Sequence, residues 1–163
     1  MTENDTYSRL LALLDREQAS YRLIDHPPEG RTELVSPLRG NPICEAAKCM
    51  VVMVKVGKKV TKFVLAVIPG DRRVNLQAIQ SLLSGTFVRF AETAVAERLA
   101  GSVAGTILPF SFTDELQLIV DPDLLRSETI YFNAARLDRS MALKSADYER
   151  IAKPRLAQIS APA

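Results

Sequence analysis

Hydrolysis by a protein's own side chains needs a nucleophile with a base beside it, or a seat for a metal ion, and this sequence is poor in both. Its single histidine, His26, stands directly before Pro27 and Pro28. No Gly-x-Ser-x-Gly elbow occurs anywhere in the chain, so a serine hydrolase has neither its nucleophile turn nor a base placed for it. His26 therefore reads as a ring hydrogen-bonded within a turn. Cys44 and Cys49 have four residues between them, off the spacing of CxxC redox or zinc pairs, and one histidine completes no metal site without carboxylates. Both thiols read as reduced, with Cys49 a small buried hydrophobe, and no local signature supports a Cys–His hydrolase. Phosphate-binding glycine loops and helical histidine pairs are absent as well. No metal and no cofactor are expected.

What remains is a lysine and a loop. Lys48 ends the small-residue run Glu45-Ala46-Ala47 and opens an apolar strand, with no acidic residue among its next six followers. A lysine so placed either snorkels to water or meets an anion. Further on, Gly105-Thr106-Ile107-Leu108-Pro109 forms a GxxxP loop in an otherwise apolar stretch. Glycine permits close backbone approach and proline fixes the exit, so such a loop can aim backbone donors and acceptors at a small ligand. A third segment, Ile130 to Ala135 followed by Leu137-Asp138-Arg139-Ser140, places Asn133 at a strand end and Ser140 in a turn.

The elements that must carry these residues are legible in outline. Tyr7, Leu10, Leu11 and Leu14 share a helical face, with Asn4 and Asp5 as candidate caps and an end near Ala19. Residues 21–24 read as a short strand. Residues 32–38 read as a short helix limited by Pro37. Residues 51–56 and 60–68, joined by Gly57-Lys58-Lys59, predict an antiparallel hairpin. Asn75 caps a helix ended by Gly85; residues 87–90 form a strand, and residues 93–100 a helix closed by Gly101. Strands at 116–120, 129–132 and 141–144 follow, then a helix capped by Ser145 and ended by Pro154, with a frayed tail after Ile159. Strands outnumber helices, and most connections are too short for parallel crossovers. The fold class is α+β, a mixed, largely antiparallel sheet with peripheral helices.

At 163 residues, with 47% apolar and 25% charged side chains, residues 1–163 read as one globular domain with a sizeable core. Lys55, Lys58, Lys59 and Lys62 interrupt the longest apolar runs, which excludes a membrane span of about 18 apolar residues. The acidic start, Met1 to Asp5, lacks the cationic region of a secretory signal, so a cytoplasmic protein is expected. A net charge of +2 is too balanced for a protein that grips long nucleic acid by its backbone, so DNA is not expected as a partner. The four hairpin lysines either make a local basic patch or solubilise a turn and guard strand edges.

Lys48 in its Ala-Ala-Lys context, the stretch Phe63 to Asp71 and the GxxxP loop, in this order, resemble the YbaK/ProX family of aminoacyl-tRNA editing domains over nearly the whole chain. The resemblance implies a curled, barrel-like sheet with helices outside it. It also implies hydrolysis of the ester joining an amino acid to the terminal ribose of tRNA. In the family, binding and orientation dominate, a vicinal ribose hydroxyl helps the attacking water, and a lysine matched by Lys48 holds the acceptor end. Gly105, Thr106 and Pro109 correspond to the substrate loop, and Asn133 and Ser140 to polar positions of the aminoacyl pocket, where they could bond a substrate side chain. Many relatives carry glycine where Ala135 stands. Arg39-Gly40, Pro109-Phe110-Ser111-Phe112, Phe132-Asn133-Ala134 and Ala146-Asp147-Tyr148 resemble the freestanding branch that clears serine from mischarged tRNA, including threonine tRNA. The alternatives are deacylation of alanyl- or cysteinyl-tRNA on proline tRNA, or a non-catalytic module that binds tRNA or a synthetase. The implied partners are the aminoacylated 3′ end of tRNA and a delivering synthetase or elongation factor.

Overall fold

The structure, a computed structural model, describes residues 3–163; the reading of Met1 and Thr2 as part of an acidic leader-free start lies outside them. α1 (Glu3–Arg16) fully buries Leu10 and Leu14, as their helical spacing demands. Its described part begins at Glu3, so the backbone of Asn4 and Asp5, the candidate caps, is already helical. It stops short of Ala19, with Gln18 in the left-handed region at φ 56°. β1 (Tyr21–Asp25) leads to α2 (Thr32–Arg39), which runs two residues past Pro37. Gly40, at φ 75°, closes it: the N–H groups of Gly40 and Asn41 turn back to the carbonyls of Pro37 and Ser36.

The hairpin is longer than its apolar run. β2 (Ala47–Val56) and β3 (Val60–Pro69) pair from Ala47↔Pro69 to Val56↔Val60, so Lys48 already sits in the ladder, opposite Ile68. β4 (Arg72–Val74) precedes α3 (Leu76–Leu82), which Asn75 caps by accepting the Ala78 N–H at 3.1 Å. β5 (Phe87–Phe90), α4 (Thr93–Ala100) and β6 (Leu116–Val120) follow, and a 3₁₀ turn (Pro122–Arg126) leads to β7 (Thr129–Asn133) and β8 (Arg139–Lys144). In α5 (Ser145–Ala152) the capping position belongs to Lys144. Ser145 is the first helical residue, and its hydroxyl donates to the Ser127 carbonyl instead. β9 (Arg155–Leu156) and β10 (Ser160–Pro162) complete the chain.

The tail is not frayed. β10 pairs antiparallel with β4, and Ile159 is buried. One oxygen of the Asp121 carboxylate accepts the N–H groups of Ile159 and Ser160 at 3.1 and 3.0 Å and the Ser160 hydroxyl at 2.7 Å. The missing signal is length, because a three-residue strand shows no periodicity.

The sheets are mixed and largely antiparallel, as expected. One has the order β5-β2-β3-β6-β9, with β6 parallel to β3 and β9 parallel to β6; a second, antiparallel, has the order β1-β8-β7; the third is β10-β4. They do not close into one barrel. A parallel bridge from Ala46 to Tyr131 joins the start of β2 to β7. The β3-to-β6 connection contains two helices and two short strands, long enough for the parallel crossover that shorter connections rule out. Between the sheets lies the larger core, where Leu65, Val67 and Val120 meet Phe132, Met141 and Leu143, with α1 and Tyr148 beside them. A second core on the other face sets Val52, Val54, Val64 and Ile68 against Ile79 and Ile159. Burial on both faces explains the unbroken apolar runs of β2 and β3.

Candidate active site

The start of β2, the end of α2 and the two loops around Gly30 and Gly105 enclose a cavity of about 250 Å³. Of the residues singled out in the sequence, Lys48, Gly105 and Asn133 are on its wall. Thr106, Pro109 and Ser140 are not, and they stand behind it.

Lys48 is half-buried and donates from Nζ to the Arg72 carbonyl at 3.2 Å. That bond uses one of three ammonium donors. Arg39, Arg31 and Glu33 share the wall with Lys48, and Arg31 is paired with Glu29; among the described residues no carboxylate lies within ion-pair distance of Lys48 or of Arg39. Lys55, Lys58, Lys59 and Lys62 lie exposed toward the far end of the hairpin and take no part in the cavity.

Gly105 has φ 88° and meets Gly30 backbone to backbone: a Cβ on Gly105 would stand 2.8 Å from the Gly30 Cα. Two loops can approach this closely only without side chains. Thr106 is fully buried, its hydroxyl on the Val103 carbonyl at 2.8 Å, and Pro109 offers its carbonyl to the Tyr148 hydroxyl at 2.6 Å. These two pin the loop rather than touch what it holds.

Behind the wall lies a polar network that the sequence does not reveal. Asn133 donates from Nδ2 to the carbonyls of Glu29 and Gly105 at 2.8 and 2.9 Å. Its Oδ1 accepts from Arg39 Nη1 at 3.3 Å and from the Ser140 hydroxyl side at 2.9 Å. Its hydrogen-bonding capacity is thereby filled, leaving nothing for a substrate hydroxyl. Ser140 is fully buried, and its Oγ also meets Arg39 Nη1 at 3.0 Å and His26 Nε2 at 2.7 Å. His26 Nδ1 faces the Pro27 carbonyl at 2.9 Å, and the single Ser140 hydroxyl proton is shared between the neighbouring acceptors of this network. Ser140 and His26 have the spacing of a nucleophile and its base, but Ser140 has no surface on the cavity and cannot attack anything in it. His26 thus bonds its own turn, as expected, and additionally ties that turn to β8.

Arg39 is the residue whose chemistry sequence reasoning overlooked. It is the last residue of α2, only 7% exposed, and its Nε donates to Asn41 Oδ1 at 2.7 Å. Burial lowers its pKa to about 10, which leaves it charged at neutral pH. A basic residue before a helix-closing glycine commonly reads as a surface cation near the helix dipole, which hid it. Cys49, half-buried on the same wall, has its thiol pKa pushed far up by burial and stays protonated. Ala135 holds φ 60° while fully buried, a left-handed backbone conformation that favours glycine.

The fold and this cation-walled cavity point to one class, and the chain belongs to it: over residues 26–151 it matches the aminoacyl-tRNA editing domain. Among curated proteins it is 42% identical over 152 residues to the Multifunctional Ser/Thr-tRNA deacylase ProXp-y of Escherichia coli (strain K12), covering 93% of this chain and 90% of that one. The counterpart from Escherichia coli O157:H7 matches equally. Two solved structures share the fold. The hypothetical protein APE2540 has TM-score 0.83 at 21% identity, covering 94% of this chain and 99% of that one. A candidate trans-editing enzyme for prolyl tRNA synthetase has TM-score 0.77 at 18% identity, covering 96% and 97%. No helix among the described residues is long and apolar enough to cross a membrane.

Proposed function

We propose that the protein is a trans-editing aminoacyl-tRNA deacylase that hydrolyses the ester of mischarged tRNA, with seryl-tRNA as the preferred substrate and threonyl-tRNA also accepted. The observation that carries this reading is the 42% identity to a Ser/Thr-tRNA deacylase over nearly the whole chain. The cavity supports it in three ways. Its roughly 250 Å³ is below the range of drug-sized ligand sites, which suits a small aminoacyl group. Its wall carries three cations, Arg31, Arg39 and Lys48, against one carboxylate, Glu33, and among the described residues neither Arg39 nor Lys48 has a carboxylate within ion-pair distance, which suits a ligand rich in phosphate and carbonyl oxygen. It presents no paired nucleophile and base, which suits attack by water positioned on the bound ester and assisted by the neighbouring ribose hydroxyl.

In this reading Lys48 holds the acceptor end, with two ammonium protons free beyond its bond to Arg72. The backbone around Gly105 receives the aminoacyl group. Asn133 and Ser140 act through it, Asn133 by fixing the Gly105 carbonyl and Ser140 by holding Asn133 and Arg39 in place. Serine and threonine differ by one methyl group, worth about 1–3 kcal/mol in a pocket of this kind, so both are turned over. The whole chain acts as one domain in the cytoplasm, on tRNA delivered by a synthetase or an elongation factor.

Deacylation of seryl-, threonyl-, alanyl- and cysteinyl-tRNA by the wild type tests the reading. Seryl-tRNA should be hydrolysed fastest. If alanyl- or cysteinyl-tRNA is the best substrate, the serine assignment is wrong; if none is hydrolysed, the protein is a binding module.

A further inference from the structure

Arg39 is a buried cation without a counter-ion among the described residues. Its three partners, Asn41, Asn133 and Ser140, are all neutral, although a carboxylate at either asparagine position would have paired it. Burying an unpaired charge costs several kcal/mol, so this arrangement works against the stability of the empty fold. The donor inventory is equally pointed. Of five guanidinium N–H groups, Nε and Nη1 supply those that bond Asn41, Asn133 and Ser140, while Nη2 has no hydrogen-bond acceptor among the described residues. Arg39 lies on the cavity wall with Lys48.

Resting on the deacylase reading above, we infer that Arg39 is a catalytic residue: its Nη2 donates to the ester carbonyl oxygen and stabilises the negative charge that develops there. A guanidinium can only donate, so it repels the substrate's α-ammonium group and selects the carbonyl end. Water oxygen bonds to the carbonyl carbon, and the π pair moves onto the oxygen beside Arg39. The pair then returns, the bond from carbon to the ribose oxygen breaks, and the proton lost by water ends on that ribose oxygen. The products are the free amino acid and tRNA with both terminal hydroxyls restored. A fixed cation in a site shielded from water is worth more to such an oxyanion than a solvated one, and its neutral partners do not quench it.

The test uses Asn41→Asp and Arg39→Gln in single-turnover deacylation of seryl-tRNA, with melting curves. Asn41 is not on the cavity wall, and a carboxylate there would pair with Nε and neutralise Arg39. We expect Asn41→Asp to fold, its gain of a charge partner for Arg39 set against loss of the Asn41 Nδ2 bond to the Pro42 carbonyl, while its rate at saturating enzyme falls at least tenfold. For Arg39→Gln the rate should fall about 10²–10³-fold, the loss typical of one oxyanion donor, with the apparent affinity for tRNA within a few-fold of wild type. A purely structural Arg39 gives the reverse, with full activity in Asn41→Asp, and that result overturns the inference. So does a loss confined to affinity in a folded Arg39→Gln. If Arg39→Gln does not fold, Arg39→Ala is assayed with added guanidinium ion, where rescue of the rate is expected and its absence refutes the role. Failure of the wild type itself to hydrolyse any charged tRNA would instead sink the deacylase reading.

Discussion

Asn133 Nδ2 donates to the carbonyl of Gly105 at 2.9 Å, joining the end of β7 to a loop 28 residues earlier in the chain. The same nitrogen holds the Glu29 carbonyl, one residue from Gly30, so a single carboxamide sets both of the facing loops. Asn133→Ala would leave two carbonyls and a guanidinium N–H short of a partner, at about 1–3 kcal/mol for each buried group left unpaired, while the Ser140 hydroxyl keeps His26 and Arg39. We expect a marked loss of stability in urea unfolding. Hydrolysis should fall for seryl- and alanyl-tRNA alike, because the loops are lost rather than a contact to the serine hydroxyl. Ser140→Ala should destabilise less, and the double variant should be less than additive, since the two residues share one network.

Lys48→Ala should fold. Its one bond, to the Arg72 carbonyl, is partly exposed to water, which replaces the donor. Deacylation should drop by two orders of magnitude or more, the scale of a lost positioning contact. Lys48→Arg should also be impaired, since a planar fork does not replace a compact ammonium. Melting curves with single-turnover rates check both, and full activity in folded Lys48→Ala would remove the lysine from the site.

A Cβ at Gly105 would lie 2.8 Å from the Gly30 Cα, a backbone atom that cannot swing away, and φ 88° is unfavourable to any other residue. Gly105→Val should therefore separate the loops and lower turnover of every charged tRNA, with a lower melting temperature. Unchanged kinetics would show that the loop does not shape the cavity.

Ala135 gives a prediction near zero. Replacing it with glycine relieves about 1–2 kcal/mol of left-handed strain, but adds roughly 0.5–1 kcal/mol of chain entropy and loses about 0.8 kcal/mol of methyl burial. Ala135→Gly should melt within a few degrees of wild type. Ala135→Val, β-branched at φ 60° in a fully buried site, should be severely destabilised.

The cysteines should separate by reactivity. Cys44 is exposed, whereas the Cys49 thiol is held far above the ordinary thiol range by burial, a shift the nearby Arg39 charge only partly offsets. The thiolate is the reactive form, so iodoacetamide should label the exposed Cys44, while Cys49 stays unlabelled until the protein is unfolded. Mass spectrometry of the alkylated protein reads this directly. Deacylation should survive Cys44→Ala, because no thiol serves as nucleophile.

Long, strongly patterned elements were legible from the residues. The β2–β3 hairpin, the Asn75 cap and the Gly101 helix end stand where the pattern places them, because each is decided locally. Short elements were not: β4, β9 and β10 are two or three residues long and exist through partners far along the chain. The site divides the same way. Lys48 and Gly105 were visible as a charge and a glycine out of keeping with their neighbours. The joining of His26, Arg39, Asn133 and Ser140 comes from four separate segments, and no spacing within one segment records it. Residue type suggested that Asn133 and Ser140 could bond a substrate, but only coordinates reveal that their bonds are already made.

The knot of bonds at Asp121 has a kinetic consequence. Its carboxylate fastens Ser160, the Ser160 side chain and carbonyl take the Arg72 guanidinium, and the Arg72 carbonyl takes Lys48. Closing this chain of contacts requires segments 38 and 88 residues apart to meet, and such long-range closures are slow relative to hairpins and helices. In refolding from denaturant, circular dichroism should therefore recover first, with hydrolytic activity trailing it until residues 159–162 have docked. Lys48, at the end of this chain of contacts, is among the last parts of the molecule to be set.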